Sequence, residues 1–304
     1  FAARTYVYDI VRCRWDKKRL NTLGLHTENF PRVVDSGISV GKYQGIAVAL
    51  AGHYHVLASY ALLAGDKERL CNSVGTMETY IGLMNGPQFL FDSGLQYGPF
   101  VDGGFFFIET LPSSGHSIDW FKNALQLGEI SYEEMNASLE KLSDTPTGIL
   151  YYPYLNGMGS PWYQEDSRGV LFGLSYKHTG MDVLKAILEG LQYQAKWLFR
   201  LLDKYHEKTP SNLICAGGGT KNKKMMQIKA NVLGMDVYVP SVSDASVSGA
   251  AALFLSKNIS RKQGENLLHN MSRVDCVYHP VQEVTNQYES IFRQQYYQWL
   301  IKRT

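Results

Sequence analysis

Apolar residues at Leu184, Ile187, Leu188, Leu191, Ala195, Leu198 and Leu202 recur every three or four positions. They predict one long helix with a buried stripe, running to about Lys204. Thr179 and Asp182 precede the stripe with capping-box spacing, so the helix is expected to start there. A second apolar face, Ile118, Trp120, Phe121, Ala124 and Leu125, predicts a helix over Ser117 to Leu127. Further helices are expected from Asn222 to Leu233, stopped by Gly234, and from Ser243 to Leu255. A last one follows Pro280 and should bury Val284, Tyr288, Ile291, Phe292 and Trp299. Between Cys71 and about Ile108, β-rich pieces such as Thr79-Tyr80-Ile81 and Phe105-Phe106-Phe107-Ile108 alternate with glycines. A strand over Asp236 to Val239 ends at Pro240. Near the start, Tyr6 to Ile10 reads as a strand, Asp16 to Leu23 as a short helix closed by Gly24, and Ile46 to Leu50 as a buried strand. Strands interleaved with helices make this an α/β protein.

Length and charge narrow the picture. A chain of 304 residues exceeds one typical domain and suggests two. With 45% hydrophobic and 19% charged residues it can bury a sizeable core. A net charge of +2 argues against a dedicated nucleic-acid binder. The densest basic run, Lys221 to Lys229, is interrupted by Met225, Met226 and Ile228, and is expected to be the solvated face of an amphipathic helix. Cys13, Cys71, Cys215 and Cys276 lie far apart without metal-ligand spacing. Free thiols in a reducing, cytoplasmic setting fit better than disulfides or a metal site. No window of about 20 apolar residues could span a bilayer; the nearest, Gly45 to Gly65, contains His53, Tyr54 and His55. The chain begins at Phe1 without a leader-like segment, as a processed product, a designed chain or a fragment would.

The candidate chemistry centres on Ile214-Cys215-Ala216-Gly217-Gly218-Gly219-Thr220-Lys221-Asn222, a strand running through three glycines into a helix. Glycines are costly to order and are kept where side chains would obstruct. Such a junction either cradles a phosphate with backbone N–H groups at a helix N-terminus or is a tight structural turn. It matches neither GxGxxG nor GxxxxGK[ST], the patterns of a dinucleotide fold and a P-loop.

The order of motifs resembles the FGGY family of carbohydrate kinases. The most specific block is Gly217-Gly218-Gly219-Thr220-Lys221-Asn222, then Gln227 through Gly234, Val239-Pro240, and Asp244-Ala245 through Ser248-Gly249-Ala250-Ala251. A second is Pro153-Tyr154-Leu155-Asn156-Gly157, Ser160-Pro161, Ser167-Arg168-Gly169, Phe172-Gly173-Leu174, His178-Thr179 and Leu188-Glu189-Gly190. Ser73-Val74-Gly75-Thr76 is similar to the family's second phosphate-contacting loop. Ala2 to Ile10 and Ser36 to Gly41 match the stretch before its active-site strand.

The resemblance implies an actin-like ATPase (ribonuclease H-like) lobe with a mixed sheet flanked by helices. It further implies that residues 1–65 are the remainder of a first, sugar-binding lobe and 66–304 the nucleotide lobe with a C-terminal helix. The implied reaction transfers the γ-phosphate of ATP, with Mg2+, to a hydroxyl of a ketose or polyol. The implied nucleotide contacts are Gly75, Thr76, Gly115, Asp119, Gly218, Gly219 and Asn222. As plain residues, Thr76 is equally a turn residue, Asn222 a helix cap and Asp119 a solvated helix position.

Three departures stand out. The family's catalytic carboxylate lies in a Gly-His-Asp-His-like segment at the end of a buried strand. Here Ala51-Gly52-His53-Tyr54-His55 puts Tyr54 at that position. A phenol with a pKa of about 10 is a poor base near neutrality. His53 and His55, residue types that ionise near neutrality, are the alternative bases and the candidate substrate contacts. The family's opening Asp-x-Gly-Thr/Ser phosphate loop has no counterpart among these residues, and Gly157-Met158-Gly159 replaces the usual Gly-Glu-Arg. The chain alone is therefore expected to have negligible kinase activity. A non-catalytic, nucleotide-binding interaction module is the alternative. The uncovered lobe face favours a homodimer or aggregation.

Overall fold

Two short apolar runs form the centre of the protein. Arg69–Val74 (β1) and Asn212–Ala216 (β5) pair in parallel, with Leu213 opposite Leu70 and Ile214 opposite Cys71. β1 turns back through Gly75 to Met77 into Glu78–Met84 (β2), with Val74 opposite Glu78. Gln96–Pro99 (β3) and Phe105–Leu111 (β4) extend that wing as antiparallel strands. On the other side Asp236–Pro240 (β6) runs parallel to β5, and Val274–Tyr278 (β7) runs antiparallel to β6. The result is a seven-stranded mixed sheet in the order β7-β6-β5-β1-β2-β4-β3. This computed structural model describes residues 1–84, 86, 94–111, 113–124, 130–159, 162–203, 210–242 and 244–301. Leu125, Ser160-Pro161, Lys204 and Ser243, which carry expectations above, lie outside the described residues.

The longer helices are Tyr54–Leu63 (α1), Ser114–Ala124 (α2), Tyr132–Glu140 (α3), Gly180–Leu202 (α4), Lys223–Leu233 (α5), Ala245–Asn258 (α6), Arg261–Met271 (α7) and Gln282–Ile291 (α8). Side chains alternate across a strand, so the central strands feed two cores. Leu70, Val74, Tyr80, Phe107 and Leu213 face the stripe of α4 and Met225, Met226 and Ile228 of α5. Cys71, Ile81, Phe106 and Ile214 face Val56, Leu62 and Leu63 of α1. Each large side chain so buried stabilises the fold by about 1.5–3 kcal/mol. Leu57, Tyr60 and Ala61 of α1 pack in turn against Ala252 and Leu253 of α6.

The strongest patterns hold. All seven stripe residues of α4 are buried, and Thr179 and Asp182 form the capping box. Asn222 caps α5 and Gly234 ends it in the left-handed region. The short helix closed by Gly24 covers Lys17–Thr22, with Asp16 as its cap.

Other expectations fail for identifiable reasons. The strand at Ile46–Ala49 forms, but among the described residues it pairs only with Ser39–Tyr43, and Ile46, Ala47 and Val48 are exposed rather than buried. Ile46 is 71% exposed, and the bond of Asn258 to the hairpin is at its other end, on Ser39 N. The segment after it, expected at a strand end, is instead the start of α1. The Tyr6-to-Ile10 strand shrinks to Tyr8–Asp9, since Tyr6 has a positive φ. Helix α2 starts three residues earlier than Ser117 and buries Ser114, Ser117 and Phe121, while Trp120 and Ala124 face outward. The basic run at 221–229 is solvated only in part: Lys221 and Lys223 are exposed, but Lys224 and Lys229 are buried, Lys229 fully so.

Candidate functional site

Three segments far apart in sequence meet at one end of β1 and β5. The first is the β1–β2 turn. Gly75 N donates to Met77 O, which tightens the turn and leaves Gly75 and Thr76 at the surface. The second is the start of α2. Gly115 N donates to Gly75 O at 3.3 Å and His116 N to Thr76 O at 3.1 Å, so this helix spends its first free donors on the turn. A Cβ on Gly115 would lie 2.8 Å from Gly75 O and 2.9 Å from Thr76 Cα, so only glycine permits this approach. The third is the glycine run. Gly217, at φ +108°, comes so near the end of β1 that a Cβ would sit 2.6 Å from Val74 O. Gly218 faces open space, and Gly219 lies over Val74. A short 3-10 turn at Gly218–Lys221 then intervenes before α5, which therefore does not follow the glycines directly.

Of the nucleotide residues read from the sequence, Gly75, Thr76, Gly115, Gly218 and Gly219 come together in this cradle. Asn222 lies just behind it, its side chain accepting from Met225 N at 2.8 Å as the cap of α5. Asp119 is one turn further along α2 and accepts the hydroxyl of Tyr132 on α3. That bond, with partial burial and the Asp119 charge, pushes the Tyr132 phenol up to about 12.

Beneath the cradle is a polar cluster that the sequence did not single out. Glu78, two residues after Thr76, is fully buried and accepts from Lys229 Nζ at 2.6 Å, Tyr80 Oη at 2.6 Å and Ser114 Oγ at 2.9 Å. Lys229 also donates to Asn72 Oδ1 at 2.7 Å and to Tyr80 Oη at 3.1 Å. Burial would raise the Glu78 carboxyl, but the Lys229 ammonium and the donors from Lys229, Tyr80 and Ser114 outweigh it and hold it below its ordinary value. One signal in the sequence could have found Lys229. It lies four residues after Met225, in the middle of an apolar helical face, where a solvated lysine does not belong.

The His53-Tyr54-His55 segment lies at the N-terminus of α1. His53 is the cap residue but makes no side-chain cap bond, and its Nδ1 is buried without a partner. Tyr54 is the first helical residue and is 57% exposed. The three rings lie against one another, with the Tyr54 and His55 centroids 3.9 Å apart. His55 Nε2 is 3.3 Å from the hydroxyl of Thr79, the residue after Glu78, and so connects this segment to β2. Both histidines lie below the ordinary value of their residue type. Burial, then the charges of Arg4 and the N-terminus, lower His53, and burial, His53 and Arg4 lower His55 to about 4.

A family model for the FGGY family of carbohydrate kinases, C-terminal domain, matches residues 70–256, the region that contains the whole cradle. The chain belongs to the FGGY family of carbohydrate kinases. It is 28% identical over 274 residues to a glycerol kinase of Dechloromonas aromatica, covering 83% of this chain and 52% of that protein. It is 24% identical over 313 residues to a xylulose kinase of Bacillus subtilis, covering 96% of this chain and 60% of that one. The chain thus spans about half, and at most three-fifths, of the length of these relatives. Its fold superposes with a TM-score of 0.84 on a crystal structure of Plasmodium falciparum glycerol kinase with ADP, at 19% identity over 99% of this chain and 62% of that one. The mixed sheet flanked by helices is accordingly an actin-like ATPase lobe, as the FGGY resemblance implied.

Proposed function

We propose that this chain carries the nucleotide-binding side of a carbohydrate kinase that transfers the γ-phosphate of ATP to a hydroxyl of a ketose or polyol. The observation that carries the reading is the convergence of the β1–β2 turn, the α2 start and the glycine run. Their backbones are close enough that side chains at Gly115 and Gly217 would collide with main chain. Thr76 and Gly218 are left exposed around them. Phosphoryl transfer depends on positioning and on stabilising charge, and a rigid cradle of backbone dipoles supplies both. The proposed contacts are Gly75, Thr76, Gly218 and Gly219 to the nucleotide, with Gly115, Asp119 and Asn222 shaping the wall. Mg2+ would enter with the nucleotide's phosphates, since Glu78, the acid nearest the turn, is committed to Lys229. The glycerol and xylulose kinases among the relatives support a small polyol or ketose as acceptor.

The division into a first-lobe remainder at 1–65 and a nucleotide lobe at 66–304 remains part of this proposal. Helix α1 falls within the first range but packs on the sheet of the second.

A second reading is favoured by the α1 segment. Tyr54, a phenol, stands at the position expected for the carboxylate base, and His55 Nε2 is turned to the Thr79 hydroxyl at 3.3 Å. We propose that the 304-residue chain binds nucleotide without appreciable catalysis. Calorimetric titration with ADP should give a saturable signal; a flat titration would remove the nucleotide site from the proposal. ATP-dependent phosphorylation of glycerol and xylulose should stay at background, and measurable turnover by this chain alone would overturn the non-catalytic reading.

A further inference from the structure

Glu78 joins the elements that build the cradle. It sits at the base of the turn, paired across the sheet with Val74, which packs under Gly217 and Gly219. One oxygen of its carboxylate accepts from Ser114, the residue before Gly115. The other accepts from Lys229, which projects from α5, the helix behind the glycine run. The turn, the α2 start and α5 are thus bonded to a single buried carboxylate. Asn72 extends the junction into β5, accepting from Lys229 and, at 3.5 Å, from the Cys215 thiol. A buried ion pair is weak evidence for stability, because desolvation offsets most of the Coulombic gain, and its best-attested use is to fix the register of the elements it joins. The elements joined here are the ones whose separation defines the cradle.

We propose that Glu78 and Lys229 are positioning residues for nucleotide binding. Through Ser114 they set the spacing between Gly75–Thr76, Gly115 and the glycine run, without touching the ligand themselves. The inference rests on the cradle being a nucleotide site. A control is built into the fold. Lys185 and Glu189 on α4 form another buried pair, bonded to the 143–147 loop and to Tyr288 rather than to any cradle element.

The test is calorimetric titration of the 304-residue chain with ADP, with thermal unfolding measured on the same samples. Ser114→Ala removes one hydroxyl of the junction and should weaken ADP binding about threefold. The double variant Glu78→Gln/Lys229→Met removes both charges while leaving no ion stranded, and should weaken it about tenfold or more. Lys185→Met should lower the melting temperature yet keep the ADP affinity of the parent. If the parent binds ADP and both cradle variants bind it equally well, the positioning role is wrong and the nucleotide site stands. If Lys185→Met weakens ADP binding as much as the double variant does, the effect is one of general stability and the positioning role is again wrong. If the parent gives no saturable signal, the nucleotide site fails and this inference with it. Should the double variant not fold, Ser114→Ala decides the question alone.

Discussion

Lys229 meets Glu78 at 2.6 Å and Lys185 meets Glu189 at 3.6 Å, each pair almost wholly out of water. Their settings differ. Glu78 lies beneath the cradle with its lysine in direct contact, and its carboxyl is held below the usual range. Glu189 takes donors from Thr147 and Tyr288, but burial outweighs these and the more distant Lys185, so its carboxyl is raised. Lys185, whose ammonium is bonded to the carbonyls of Ser143 and Thr145, is lowered by the same burial. The same residue pair therefore has its carboxyl lowered at one junction and raised at the other. What differs is the contact of the lysine, 2.6 Å from Glu78 and 3.6 Å from Glu189.

The largest expected effect comes from removing one lysine. Lys229→Met strands the Glu78 carboxylate and should cost about 3–5 kcal/mol in urea denaturation. Lys185→Met should cost less, because Lys185 stands 3.6 Å from Glu189 and Thr147 and Tyr288 still donate to that carboxylate. Equal losses would erase the contrast.

Glycines near each pair extend it. Gly190 follows Glu189, and a Cβ there would run into the Tyr151 carbonyl; Gly190→Ala should cost about 1–3 kcal/mol of stability with ADP binding retained. Gly115→Ala meets the β1–β2 turn instead, and should lose ADP affinity for a comparable or smaller loss of stability. If ADP affinity followed Gly190→Ala rather than Gly115→Ala, the cradle would be misplaced.

Acid titration tests the signs. A lowered carboxyl such as Glu78 contributes stability that is complete above the ordinary glutamate value, about 4.3, and is lost as pH falls through its lower folded value. A raised one such as Glu189 contributes stability that is complete below that value and is lost as pH rises through its higher folded value. The melting-temperature gap between the parent and Glu78→Gln should narrow on acidification, and the gap for Glu189→Gln should widen. Parallel trends in thermal melts would show that the two carboxylates share one environment.

The smallest effect concerns the rim. Tyr54 is exposed at the first position of a helix without a side-chain cap. Tyr54→Asp should therefore stabilise by about 0.3–1 kcal/mol through the helix dipole, read as a small rise in melting temperature. A loss of stability would mean that the ring stack of His53, Tyr54 and His55 holds α1 in place.

What could be read in advance follows local rules. The stripe of α4, its capping box, and the cap and stop of α5 were legible because period, cap chemistry and glycine conformation act within a few residues. Helix α1 is hard to read because its apolar run suits a strand equally, and helix α3 because Met135 and Leu139, its buried residues, are too few to make a stripe behind the capping box of Ser131 and Glu134. The outward-facing hairpin at 39–49 was misread because burial depends on what covers a strand, not on its own residues.

The glycine run shows where that line falls for the site. Three glycines between a strand and a helix established, from sequence alone, that backbone would need unusual room there. The ordered motifs around them pointed to the FGGY family, whose C-terminal domain model matches residues 70–256. Only the tertiary structure brought Gly115 onto Gly75, Gly217 onto Val74, and Lys229 through the core to Glu78, 151 residues away. The reason is physical. A single sequence encodes local propensity and periodicity directly, whereas partners across a sheet are chosen by packing and by the need to satisfy every buried charge.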